Sequence, residues 1–123
     1  SFPIQINVVK QHDDGQIELS VSYSDDFKEI RKRLGSVDLA AIPIGAYEPR
    51  WIMEVSHMNP EEAVMSFLDL EASKAIGMSW GTFILTDEPV REPPQKLIEV
   101  VSKYNISQDR FFTLKHGETY LDN

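Results

Sequence analysis

The chain has no cysteine, which excludes disulfide staples, thiolate nucleophiles and thiolate metal sites. That fits a reducing compartment, and a cytoplasmic location is the expectation. Long apolar runs are also missing. Pro43, Gly45, Gly77 and Gly81 interrupt the most hydrophobic stretches well before a bilayer-spanning length, so no transmembrane segment is expected. The N-terminus lacks a basic segment followed by an apolar one, and it starts with Ser1 rather than methionine, which points to a processed, excised or engineered terminus. Positive charge is scarce: 12 Lys and Arg against 20 Asp and Glu leave a formal charge of −8. This balance opposes attraction to phosphate backbones, and no basic stripe interleaved with aromatics offsets it, so nucleic acid is not an expected partner. An anionic membrane surface gains nothing from it either. Histidine is sparse, with His12, His57 and His116 far apart. Gly-x-Ser-x-Gly elbows, phosphate-binding glycine loops and dinucleotide fingerprints are absent.

What remains is enough for one core, because 41% of the 123 residues are hydrophobic. Ile4, Ile6 and Val8 alternate with polar residues, as do Ile17, Leu19, Val21 and Tyr23, and the turn-forming run 12–16 lies between them. That pattern predicts a β-hairpin with one apolar face. Ser24 as cap, Asp25 and Asp26 in the first turn and Arg31, Lys32 and Arg33 at the end predict a helix matched to its dipole. Phe27, Ile30 and Leu34 form its apolar face and Gly35 stops it. Residues 37–45 are apolar at successive positions, as in a strand buried on both faces, with Pro43 marking a bulge or the strand's end. Asn59-Pro60-Glu61-Glu62 has the form of a capping box with proline at the first helical position. Ala63, Val64, Phe67, Leu68 and Leu70 supply that helix's buried side, and a strand over 75–79 completes a crossover expected to be right-handed. A proline- and acid-rich loop over 82–94 follows, in which Asp87, Glu88 and Glu92 read as solvated. A helix over 95–104, a strand over 111–114 and a polar tail over 115–123 complete the chain. The order predicts a single α/β domain over 1–123, a mixed sheet with helices on one face.

Five segments then occur in a telling order: Tyr23-Ser24-Asp25-Asp26-Phe27, the run from Ala41 to Trp51, His57-Met58-Asn59-Pro60-Glu61-Glu62-Ala63, Met78-Ser79-Trp80-Gly81-Thr82-Phe83, and Leu114-Lys115-His116-Gly117-Glu118. Together they resemble the C-terminal half of a metallo-β-lactamase-fold hydrolase, in the branch that contains N-acyl-phosphatidylethanolamine-hydrolysing phospholipase D. The resemblance covers residues 23–123 in the main. The hairpin over 1–22 lies outside it, and divergence, replacement and design stay open as its origin. The resemblance implies half of an αβ/βα sandwich, with a dinuclear zinc site at the seam between halves. It also implies a ligand set: a His-x-His-x-Asp-His motif in the N-terminal half, a bridging aspartate and a last histidine. Here Ser20 stands at the aspartate position and Ser79 at the histidine position, and the histidine motif has no counterpart. Neutral serine hydroxyls are poor zinc ligands, so no bound metal is expected, and with it goes the metal-activated hydroxide.

The remaining candidates each carry two readings. His57, just before the helix cap, is an acid or base near the substrate mouth implied by the resemblance, or a loop histidine bonding near a helix start. Ser79 beside a histidine is a nucleophile, or an ordinary polar residue at a strand end. Tyr47, Glu48, Arg50 and Trp51 form a surface that recognises a lipid headgroup or another anion through Arg50, or a packed loop with a Glu48–Arg50 contact. Trp80 follows a strand and is core before it is pocket. His116 sits in a polar turn. Three functions follow: a metal-free, non-catalytic half-domain, natural remnant or engineered; part of a zinc-dependent phosphodiesterase completed by an N-terminal half; or a binding module for a lipid headgroup or protein. Strands apolar on both faces with helices on one side also predict a homodimer through the open sheet face.

Overall fold

The structure is a computed structural model, and it describes residues 7–11, 17–20, 23–54 and 56–121, the first two segments as backbone. Strands β1 (Asn7–Gln11) and β2 (Ile17–Ser20) pair antiparallel, with Asn7 opposite Ser20 and Gln11 opposite Ile17 and an irregularity between Val8 and Lys10. This is the expected hairpin, with its first strand described as far as Gln11. The turn over 12–16 and the expected strand residues 4–6, 21 and 22 lie outside the described residues. The hairpin forms its own two-stranded sheet.

The core is built on a second sheet of three strands, β3 (Leu39–Pro43), β4 (Lys74–Met78) and β5 (Phe111–Thr113), in the order β3-β4-β5 and parallel throughout. Among the described residues antiparallel pairing is thus confined to the hairpin. Parallel neighbours need long crossovers, and α3 (Pro60–Leu70) and α4 (Glu92–Lys103) supply them. Pro43 marks the end of β3, and Ile44 N–H carries the ladder one residue further by donating to Met78 O at 3.0 Å.

Local chemistry explains where the helices start. In α1 (Asp26–Leu34) the cap is Asp25 rather than Ser24, and its side chain makes no capping bond. Ser24 Oγ instead donates to the Asp26 carboxylate at 2.9 Å and accepts from Asp26 N–H at 3.3 Å. The box on α3 forms as its sequence predicts: Glu62 N–H donates to Asn59 Oδ1 at 2.8 Å, and Asn59 N–H donates to Glu62 Oε1 at 3.1 Å. Helix α4 starts at Glu92, three residues before the predicted start. Pro93 and Pro94 lie in its first turn, where a missing N–H costs no intrahelical bond. A one-turn helix, α2 (Arg50–Met53), follows Pro49 and was not predicted.

Alternation along the strands separates two sheet faces. Ile42, Ala75 and Phe111 point into a cluster with Phe27 of α1, Phe67 of α3 and Leu97 of α4. Phe67 and Phe111 rings lie 5.3 Å apart at a tilt, which adds to the area they bury. On the opposite side Ala41, Ile76 and Phe112 stand in register across the three strands. Ala41 is exposed and the other two are half-buried. The C-terminal segment reaches this side: Tyr120 packs edge-on to Phe112 at 5.1 Å, and Lys74 Nζ donates to Tyr120 Oη at 2.9 Å. The segment read from sequence as a polar tail is therefore docked at this point. Among the described residues no helix is long and apolar enough to cross a membrane.

Candidate functional site

The carboxyl ends of β3 and β4 converge on one place, which is where open parallel sheets expose a crevice. The convergence is tight: a Cβ on Gly45 would sit 2.2 Å from the Ser79 carbonyl oxygen, so only glycine fits there without displacing backbone. Ala46 and Ser79, the residues that leave the two strands, both adopt positive φ, at 60° and 57°. Non-glycine residues rarely do so, at a cost of order 1–3 kcal/mol each, and such conformations concentrate at functional sites.

Beyond these residues a cavity of about 320 Å³ opens, walled by Ala46, His57, Ser79, Trp80, Phe83 and Val90. Its ionisable lining residues are His57 and Glu88. Burial holds the His57 imidazole below its ordinary value, with nearby Glu88 acting upward and Arg50 downward. A neutral imidazole on a cavity wall is able to accept a proton.

Glu88 is the residue whose role the sequence hid. It reads as part of a solvated acidic loop, yet it is buried, with only 8% of its surface exposed. One carboxylate oxygen accepts from Tyr47 N–H and the other from Glu48 N–H, each at 3.1 Å. Burial acts to raise its pKa, but hydrogen bonds from Thr86 and from the backbone at Glu88, Glu48 and Tyr47 outweigh it and the net shift is downward. No apolar periodicity marks the position. The signal the sequence offers is an acid two residues after a threonine and just before a proline.

The cluster over 47–51 divides into separate fates. Tyr47 is buried, and its hydroxyl donates to the Glu92 carboxylate; burial, then the Glu92 bond, drives its pKa upward. Arg50 pairs with Glu62 rather than Glu48, and its guanidinium also donates to the carbonyls of Tyr47 and His57, both at 3.3 Å. Trp51 is 77% exposed. Tyr47 and Glu48 line a second groove of about 570 Å³ together with Glu61, Glu92, Lys96 and Lys103, while His57, Ser79 and Trp80 line the first cavity. Trp80 serves as both core and wall, since it packs on the core cluster and also against His116 at 5.1 Å between ring centres. Of Ser20 the structure describes the backbone in β2.

The donor set of the cavity does not fit zinc. A catalytic zinc takes three protein ligands from imidazole, carboxylate or thiolate and keeps one open position. The cavity offers one imidazole, a serine hydroxyl and a carboxylate already engaged by backbone N–H groups. Among the described residues no group of three or more histidines and carboxylates is placed to hold a metal ion.

Residues 19–80, half of the chain, match the beta-lactamase superfamily domain. N-acyl-phosphatidylethanolamine-hydrolyzing phospholipase D 1 of Caenorhabditis elegans is 44% identical over 97 residues, covering 77% of this chain and 27% of that protein. The mitochondrial N-acyl-phosphatidylethanolamine-hydrolyzing phospholipase D of Saccharomyces cerevisiae is 38% identical over 96 residues, covering 77% of this chain and 20% of that protein. An uncharacterized protein of Mycobacterium tuberculosis is 36% identical over 88 residues, covering 69% of this chain and 23% of that protein. The chain thus spans about a quarter of the length of these relatives. A family match over residues 19–80, from β2 to the end of β4, together with these relatives has one conclusion: this chain belongs to the beta-lactamase superfamily, near its N-acyl-phosphatidylethanolamine-hydrolysing branch.

Proposed function

We propose that this chain is a metal-free, non-catalytic α/β half of a beta-lactamase-superfamily hydrolase, and that it self-associates through the open face of its sheet. One observation carries the first part. Ser79, at the histidine position of the resemblance, stands at the end of β4 on a cavity whose ionisable lining residues are His57 and Glu88. A hydroxyl, an imidazole and an engaged carboxylate do not make an activated water. Purified chain dialysed against a weak chelator is expected to retain no stoichiometric zinc by elemental analysis and to show no phosphodiesterase or lactamase turnover. Ser79→His combined with Ser20→Asp is expected to leave it inactive, because two ligands are a minority of a dinuclear set. Stoichiometric zinc in the wild type overturns the reading.

The second part rests on the row Ala41, Ile76 and Phe112. A second copy covers such a row by an isologous contact. Sedimentation at micromolar concentration is expected to show a dimer that Ala41→Asp dissociates. A folded wild-type monomer at high micromolar concentration rejects it.

A second reading is favoured by the share of its relatives that the chain spans, 27% and 20%. In that reading the open face receives another α/β half that brings the histidine motif, and the pair forms a zinc-dependent phosphodiesterase. Mixing the chain with a polypeptide carrying that half separates the two: metal-dependent turnover appears only in the second. A lipid-headgroup site over 47–51 has less support, because Glu62 and two carbonyls already hold Arg50.

A further inference from the structure

We propose that residues 82–91 are a strap across the cavity, closed by a latch at Glu88, and that releasing the latch opens the cavity without unfolding the core. The strap runs from the end of β4 to the start of α4 and contains neither helix nor strand. Its first end is fixed at Gly81, whose φ of 76° suits glycine and whose absent Cβ would lie 3.1 Å from the His116 ring. Its second end is fixed by the latch. Glu88 accepts the N–H groups of Tyr47 and Glu48, Asp87 N–H donates to Glu48 O at 3.0 Å, and just past the strap Glu92 accepts the Tyr47 hydroxyl.

Between the two ends the chain presents Phe83, Ile84 and Leu85, exposed at 71%, 85% and 74%. This crest adds little burial to hold the segment down, and all three residues also line the cavity. The closed state therefore depends on a few polar contacts concentrated at 86–88. Segments with few buried apolar contacts open locally at a lower free energy than the core. The strap is such a unit, and Glu88 is the residue that sets its opening equilibrium. Glu88 is a positioning residue: it acts by holding Tyr47 and Glu48 against the loop, not by touching a reacting atom.

Amide hydrogen exchange on the full chain reads this directly, because the N–H groups of Tyr47, Glu48 and Asp87 are the latch. In Glu88→Gln their exchange is expected to rise roughly ten- to a hundredfold, the scale of losing hydrogen bonds to a charged acceptor. The amide of Ala75, bonded to Arg110 O at 2.7 Å inside the sheet, is expected to change by less than about twofold. Thr86→Val removes one donor from Glu88 and is expected to shift the same three amides in the same direction by less. In a Trp51→Phe background, acrylamide quenching of Trp80 fluorescence is expected to increase in Glu88→Gln, since Trp80 lines the cavity. Equal acceleration at Tyr47 and Ala75 overturns the proposal, as does unchanged exchange at the latch amides. Should Glu88→Gln fail to fold, the ratio of Tyr47 to Ala75 exchange in Thr86→Val decides the matter by the same criterion.

Discussion

Phe111 and Phe112 are adjacent in β5 and meet opposite surroundings. Phe111 is 2% exposed and packs against Phe67 among three helices, while Phe112 looks to the other side of the sheet, where Tyr120 covers part of it. The same contrast holds along β3, where Ile42 is buried and Ala41 exposed. Both sides are apolar in composition, so hydrophobicity does not distinguish them. What distinguishes them is that, among the described residues, the helices complete one side and not the other. An apolar residue stabilises a fold only where something within the fold removes it from water.

The comparison breaks most visibly with a buried charge. Ile44 is fully buried in the helix-side cluster, so Ile44→Asp is expected to abolish folding, read as loss of the cooperative thermal transition. Ala41→Asp places the same charge on the open side and is expected to leave that transition in place. If the two variants behave alike, the two sides are not energetically distinct. The neighbouring phenylalanines give a graded version. Phe111→Ala is expected to cost about 3–5 kcal/mol in denaturant unfolding, and Phe112→Ala well under half of that.

Acid tests the polar joint at the cavity on the helix side. His57 and Glu88 both titrate below their ordinary values of 6.5 and 4.5, so the unfolded chain binds more protons than the folded one as pH falls. Stability is expected to begin falling as pH drops through 6.5 and to fall again below 4.5, toward the lower folded-state value of Glu88. Tyr47 and His57 are titratable groups that interact with that carboxylate. Glu88→Gln is expected to shrink the lower step in a pH series of denaturation midpoints, to which Glu29 and Glu61 also contribute, and to enlarge the upper one, because the Glu88 charge acts upward on His57.

The smallest effects are at element ends. Asn59→Ala breaks the capping box on α3 and is expected to cost about 1 kcal/mol. Ala46→Gly relieves a positive φ of 60° and is expected to gain up to about 1 kcal/mol, seen as a raised denaturation midpoint.

How far the sequence was legible depended on whether the physics was local. The capping box of α3 involves neighbours in sequence and could be read directly, whereas Pro43 read as either a bulge or the strand's end and proves to be the end. The succession of strand and helix that puts β4 beside β3 could also be read, because apolar periodicity reports it. The early start of α4 was missed because two prolines in a row read as a loop, although the first helical turn is where they are tolerated. Leu34 was assigned to the apolar face of α1 but lies at its last turn, 79% exposed. Glu88 was misread because its partners are some 40 positions away, and a buried carboxylate looks like a solvated one in a string of letters. The docked Tyr120 was missed for the same reason. No spacing in the chain marks Ser79, Trp80 and His57 as lining one cavity.

The left-handed residue at the end of β4 has a consequence for anyone who would rebuild this molecule. Ser79 is exposed, it opens on the cavity, and its backbone conformation is one that asparagine, aspartate and histidine adopt more readily than most residues. Gly45, packed against its carbonyl, tolerates no side chain at all. Position 79 is therefore a socket and position 45 its fixed mount: the chemical group displayed at the strand end is exchangeable at little structural expense, provided the residue behind it never changes.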